Sequence, residues 1–172
     1  MSAVSCSRYS RARRLLHGVS AVIILWALGS GFTLATVPLT ASLHDRIAAF
    51  NVATTLLFIP FFMVRTLLAL WQGKPAHHAL SAQQQTLANA GHVAIYGCVL
   101  VVLFSGVLMM ERPVPVFGAY TFGPLLPASS VTQAFSGLHR VASGLLALLV
   151  AGHLLAVPMH QRRGVRLLQR MF

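Results

Sequence analysis

Four stretches of this chain are each long and apolar enough to cross a bilayer, and that feature constrains the fold more than any other. A helix needs about 20 mostly apolar residues to span the hydrocarbon core. The stretches run from about Leu15 to Leu39, Ile47 to Trp71, Thr86 to Met110 and Gly137 to His160. The first carries no formal charge, the second only Arg65, and the fourth has Arg140 near its start. Lipid offers the backbone no hydrogen-bond partners, so each stretch is expected to be a helix. The expected fold is all-α: a four-helix transmembrane bundle, up-and-down, forming one domain over residues 1–172. A basic prelude gives the first span some likeness to a secretory signal. Its apolar run is too long and no clear A-x-A site follows, so it reads as a retained helix. Pro60 removes one ladder hydrogen bond from the second helix and is expected to kink it.

Composition agrees with a membrane setting. Only 9% of residues are charged, against the usual quarter, and mean hydropathy is +0.74. The net charge of +11 sets 13 Lys and Arg against Asp45 and Glu111 alone, so acids are missing rather than bases abundant. A nucleic-acid binder needs a basic face on a polar surface. This chain has too few polar residues to make one, and the partner its surface fits is membrane lipid. Cys6 and Cys98 form neither a CxxC nor a zinc pattern.

The basic residues also set an orientation. Arg8, Arg11, Arg13, Arg14, Arg65, Lys74, Arg162, Arg163, Arg166 and Arg170 fall on one side. Arg46, Arg112 and Arg140 fall on the other, with both acids. The positive-inside rule predicts that both termini are cytoplasmic. Residues 76–85 then form a polar inner loop containing His77 and His78, read as solvated. Residues 111–136 form an outer loop whose prolines, Phe117, Tyr120 and Phe122 are expected to fold down as an aromatic cap.

Eight histidines in so apolar a chain are the informative surplus. Ionisable groups inside spans are rare and usually functional. His139, His153 and His160 are separated by 14 and 7 residues, both close to whole helical turns, so the three share one face. The first two are roughly 21 Å apart in rise. Leu146 lies midway, with small Ala142, Ser143 and Gly144 nearby, as on a face that accommodates two bulky planar groups at different depths. An iron with two axial imidazoles needs a second His at matching depth on a facing helix. His17 is near the level of His153. His44 is near the level of His139 or slightly outside it. The plain alternative is that these histidines are interhelical hydrogen-bonding glue. His92 starts the third helix as a polar anchor or a propionate partner. Arg65 either snorkels or pairs with a haem propionate. Met109 and Met110 read as packing.

With these residues placed, the chain resembles the bacterial cytochrome b561 family, related to the b-type cytochrome subunits of nickel-iron hydrogenases. The carriers are Arg14-Leu15-Leu16-His17, the segment from Leu87 to Tyr96, Leu138-His139, His153, His160 and the tail from Gly164 to Met171. The resemblance implies a bacterial inner-membrane electron carrier with two b haems, exchanging electrons with a ubiquinone-type quinone. It implies His17 and His153 as axial ligands of an inner haem, His139 as one ligand of an outer haem, and His160 near the quinone. Some members look like superoxide:quinone oxidoreductases, and others are quinone-facing subunits of larger dehydrogenases. The chain departs from the pattern on the second helix. The family's His there stands fourteen residues before an Arg, and counting back from Arg65 gives Asn51. His44 is seven residues further out on the same face. The outer haem therefore has a shifted ligand, a different one or none, and the expectation is one firmly bound haem and a weaker, five-coordinate or absent second. Gly18 stands where the family commonly has an aromatic.

The reading is a membrane cytochrome b that moves electrons between a donor, superoxide or a donor protein, and quinone. Two rivals remain open. One is an electron-conducting subunit of a larger dehydrogenase or hydrogenase. The other is a haem-free membrane protein whose histidines are structural or bind a transition metal.

Overall fold

The computed structural model describes residues 10–71 and 81–162, with side chains as far as Met159. Cys6, Arg8, Lys74, His77, His78 and the basic tail from Arg163 onward lie outside the described residues. Four long helices account for almost all of the described chain: α1 (Arg11–Thr36), α2 (Ala41–Trp71), α3 (Ala82–Leu108) and α4 (Ser130–Arg162). All four are long and apolar enough to cross a membrane. The fold is the expected one, all-α with four membrane-spanning helices.

The helix ends differ from the expected ones for local reasons. α1 begins at Arg11 because the Ser10 side chain accepts from the Arg13 N–H as an N-cap. It stops at Thr36, short of Leu39, because Pro38 pushes Val37 into an extended conformation. α3 opens four residues before Thr86, inside the expected polar loop. Ser81 and Gln84 form a reciprocal capping box there, with hydrogen bonds of 3.3 and 3.1 Å. α2 and α4 also gain turns at their starts, so the 111–136 loop is shorter than expected. α4 begins at Ser130, where the buried Thr132 hydroxyl accepts from the Ser129 N–H at 3.0 Å. The same hydroxyl lies 3.1 Å from Glu Oε1 of residue Glu111, tying the end of α3 to the start of α4.

Neighbouring helices run antiparallel. The start of α1 meets the end of α2 through His17 and Arg65, and the start of α3 meets the end of α4 through His92 and His153. We call this the proximal end. At the distal end a two-stranded hairpin, β1 (Val114–Val116) and β2 (Tyr120–Phe122), packs on α2. Phe117 at its turn meets Phe50 edge-on at 5.6 Å, and Phe50 meets Trp26 at 5.4 Å, so of the expected cap Phe117 folds onto the bundle while Tyr120 stays exposed.

The outward surface is apolar, as lipid requires. On α4, Val141, Leu148 and Leu155 are exposed at heptad spacing, on the side opposite His139, Leu146 and His153. The core is a belt at mid-depth built from Ile24, Phe58, Phe62, Cys98, Val99, Leu103 and Leu146. α1 packs mainly on α2, and α3 mainly on α4, with a thinner seam between α2 and α3.

Candidate functional site: two histidine levels on either side of an apolar belt

The core belt separates two polar locations. At the proximal end all four helices contribute. His17 comes from α1, Arg65 from α2, His92 and Tyr96 from α3, and His153 from α4, and each is half-buried. An Arg65 Nη atom donates to His17 Nδ1 at 2.9 Å. The guanidinium lies 5.0 Å from the centre of the Tyr96 ring and 5.9 Å from that of Phe62. Arg65 therefore turns into the bundle and does not snorkel along the lipid face. His92 and His153 meet edge to face, with centroids 5.4 Å apart. The His92 Nδ1–H donates to the Ala88 carbonyl at 2.6 Å. His17 lies within electrostatic reach of both His153 and His92. A Cβ added to Gly18 would meet nothing within 4 Å, so the space beside His17 is open.

At the distal end the four helices enclose an apolar cavity of about 360 Å³. That volume is within the range typical of small-molecule and cofactor sites. Phe58, Val99, Leu103 and Leu146 of the core belt form its floor, and Arg140 stands among its lining residues. His139 lines the cavity from α4. Its Nδ1–H donates to the Val102 carbonyl at 3.0 Å, with Ser105 Oγ at 3.2 Å. Gly106 makes room for the ring, since a Cβ there would stand 3.2 Å from His139 Cε1. Asn51 lines the same cavity from α2, and its Oδ1 is buried without a hydrogen-bond partner.

Of the residues singled out in the sequence, the structure gathers His17, Arg65, His92 and His153 at one level and isolates His139 at the other. His44 does not join the cavity. Its side chain is 48% exposed, and its Nδ1 lies 3.6 Å from Asp45. Met109 and Met110 both line the cavity wall, in keeping with a packing role. His160 lies on α4, but its side chain is outside the described part. Tyr96 and Gly106 were not singled out as site residues. Tyr96 stands four residues, one turn, after His92, a spacing that could have flagged it. Gly106 carried no such signal.

Among the described residues, no three or more His, Cys, Asp or Glu side chains form a bare-ion site. The imidazoles instead come in small numbers beside apolar space. That is the donor set an iron requires when a macrocycle fills its equatorial positions. His139 has the orientation typical of a metal-ligating imidazole: one ring nitrogen fixed by a backbone carbonyl, the other free. The residues thus fit haem at both levels. Comparison with curated proteins returns no match. Residues 8–172 match the family described as prokaryotic cytochrome b561. The chain belongs to that family, the multi-pass membrane b-type cytochromes of electron transfer.

Proposed function

We propose that the chain carries electrons across the bacterial inner membrane, from a donor at the distal face to a ubiquinone-type quinone at the proximal face. The observation that carries this reading is the pair of imidazole sites, one at each end of a four-helix span, separated by a buried apolar belt. Haem b supplies one-electron redox chemistry when bound. His17 and His153, on helices from the two different packed pairs, would hold the proximal haem. His139 is the distal ligand. His44, half exposed beside Asp45, is left out of the set.

The contact of Arg65 with His17 supports a role for Arg65 beside the haem. Ligation through His17 Nε2 puts the ring proton on Nδ1, and a guanidinium cannot accept it. Arg65 then turns to an anion, the haem propionate, while Tyr96 and Phe62 keep its cationic plane stacked. His92, packed edge to face on His153, lies at the same level. His160, seven residues beyond His153 in the sequence, is the candidate contact for the quinone. At the distal end Arg46, Arg112 and Arg140 attract an anionic donor such as superoxide, an effect moderated by Asp45 and Glu111. The excess of basic residues at the proximal end supports a cytoplasmic location for it.

The test is optical. Protein purified in detergent should show a Soret band and sharp reduced α bands, and its reduced spectrum should decay on adding a soluble ubiquinone analogue. Absence of a Soret band after expression with ample haem would sink the reading. A haem spectrum indifferent to quinone would remove the quinone half of it.

A further inference from the structure

We propose that the distal cavity holds its haem through His139 alone and leaves the side facing Asn51 open to a small diatomic ligand such as carbon monoxide. The inference rests on the reading of this cavity as a haem site and adds its coordination state.

Register brings Asn51 to the place where a second axial ligand belongs. α2 and α4 run in the same direction, from distal to proximal end. Asn51 precedes Arg65 by 14 residues, as His139 precedes His153. Equal spacing on parallel helices makes Asn51 level with His139, just as Arg65 is level with the proximal histidines. His44 is two turns further out on α2, roughly 10 Å away along the axis, and is engaged with Asp45.

Among the described residues, the wall that α1 and α2 form opposite His139 contains no strong iron ligand. His139 belongs to the α3–α4 pair, and a ligand from the other side has to come from the α1–α2 pair. On those two helices the described polar residues lining the cavity are Thr36, Thr55 and Asn51. The Thr36 hydroxyl donates to the Phe32 carbonyl at 2.8 Å, and that of Thr55 to the Asn51 carbonyl at 3.0 Å. Of these three, only Asn51 keeps a buried polar atom, its Oδ1, without a hydrogen-bond partner. A carboxamide is a poor ligand for haem iron beside imidazole, thiolate or thioether. It is a suitable neighbour for a small polar ligand, because by rotating it can present either its oxygen or its NH2 group. The sulfurs of Met109 and Met110 also line the cavity, but they come from the end of α3, the helix that already packs on His139.

Carbon monoxide difference spectra of dithionite-reduced protein, read beside the haem content per chain from the pyridine haemochrome, test the proposal. Wild type should carry two haems, one of which shifts its Soret band under carbon monoxide. His139→Ala should lose that haem and the whole shift, keeping the low-spin proximal spectrum. Asn51→His should keep both haems and lose the shift, because an imidazole now closes the position. Two haems with no carbon monoxide response would overturn the proposal, as would a response that survives in His139→Ala. A single haem insensitive to His139→Ala would also overturn it while leaving the electron-carrier reading intact. No haem at all would defeat both. Should Asn51→His fail to accumulate, the wild-type and His139→Ala spectra still decide.

Discussion

His17 and His153 stand on α1 and α4, helices that belong to different packed pairs, and this makes them unequal to ordinary interhelical hydrogen-bonding residues. If the two hold the proximal haem as proposed, replacing either with Ala takes away an imidazole that no other described side chain on the same helix can replace. The expected outcome for each variant is loss of the proximal haem or its conversion to high spin, read from the visible and electron paramagnetic resonance spectra. Full retention of a low-spin proximal haem in both variants would contradict the assignment. Gly106 tests the distal level independently. A Cβ there already comes within 3.2 Å of the His139 ring, so Gly106→Ala forces the ring to give by tenths of an ångström and should weaken distal haem retention. Gly106→Val adds branched bulk against the same ring and should abolish distal retention with the proximal spectrum unchanged. A haem content equal to wild type in Gly106→Val would show that His139 is not a ligand. The shared face of His139 and His153 was readable from their 14-residue spacing. The contacts of Arg65 with His17 and of Gly106 with His139 were not, because they depend on how two helices are rotated against each other, and no local sequence pattern encodes that angle.

The helices themselves were readable for a simple reason: a span of fixed thickness demands a run of fixed length and polarity. What the apolar signal could not reveal is where each helix continues into polar sequence. Residues 41–46 and 130–136 mix Ser, Thr, His, Asp, Arg and Gln with apolar residues, yet belong to α2 and α4. Ser81 and Gln84 did carry a start signal, the S-x-x-Q pattern of a capping box, outside the hydrophobic window that delimited the span. The distal hairpin was foreseen as an aromatic cap without its strand pairing, since two three-residue strands give little periodicity. Its turn places Phe117 at φ 51 and Gly118 at φ 74, with the Ala119 N–H donating to the Val116 carbonyl at 3.1 Å, the pattern of a type I′ turn. Phe is costly in that conformation, and its ring contact with Phe50 offsets the cost. Phe117→Ala loses the ring and keeps the strain, so it should lower stability by about 1 kcal/mol. Phe117→Gly loses the same ring but relieves the strain, and should be less destabilising than Ala by about 0.5–1 kcal/mol. Thermal melts in detergent distinguish the two. Equal melting temperatures would mean that the left-handed conformation carries no cost here.

Lipid tails are as apolar as the helix surfaces, so burying apolar area gives transmembrane helices little drive to associate, and packing contacts must hold them together. In this bundle those contacts are concentrated within the α1–α2 and α3–α4 pairs. The belt around Phe58, Leu103 and Leu146 joins the pairs at mid-depth. Distal to it lies the cavity, whose walls lack partner atoms across the gap and forgo dispersion energy. Proximal to it, Arg65 of α2 reaches across to the Tyr96 ring of α3. Haem bound by His17 from one pair and His153 from the other would act as a fastener between them. By mass action, a group that binds only the folded protein stabilises it by about 2.7 kcal/mol at a free concentration one hundred times its dissociation constant. Protein expressed under haem limitation should therefore melt well below the loaded form in the same detergent, and added haem should restore the difference. His153→Ala should bring wild type down toward the haem-depleted melting temperature, whereas His44→Ala, at an exposed residue outside the cavity, should leave it within about 0.5 kcal/mol of wild type. Identical melting curves for loaded and depleted protein would mean that the two helix pairs are held by the mid-depth belt alone.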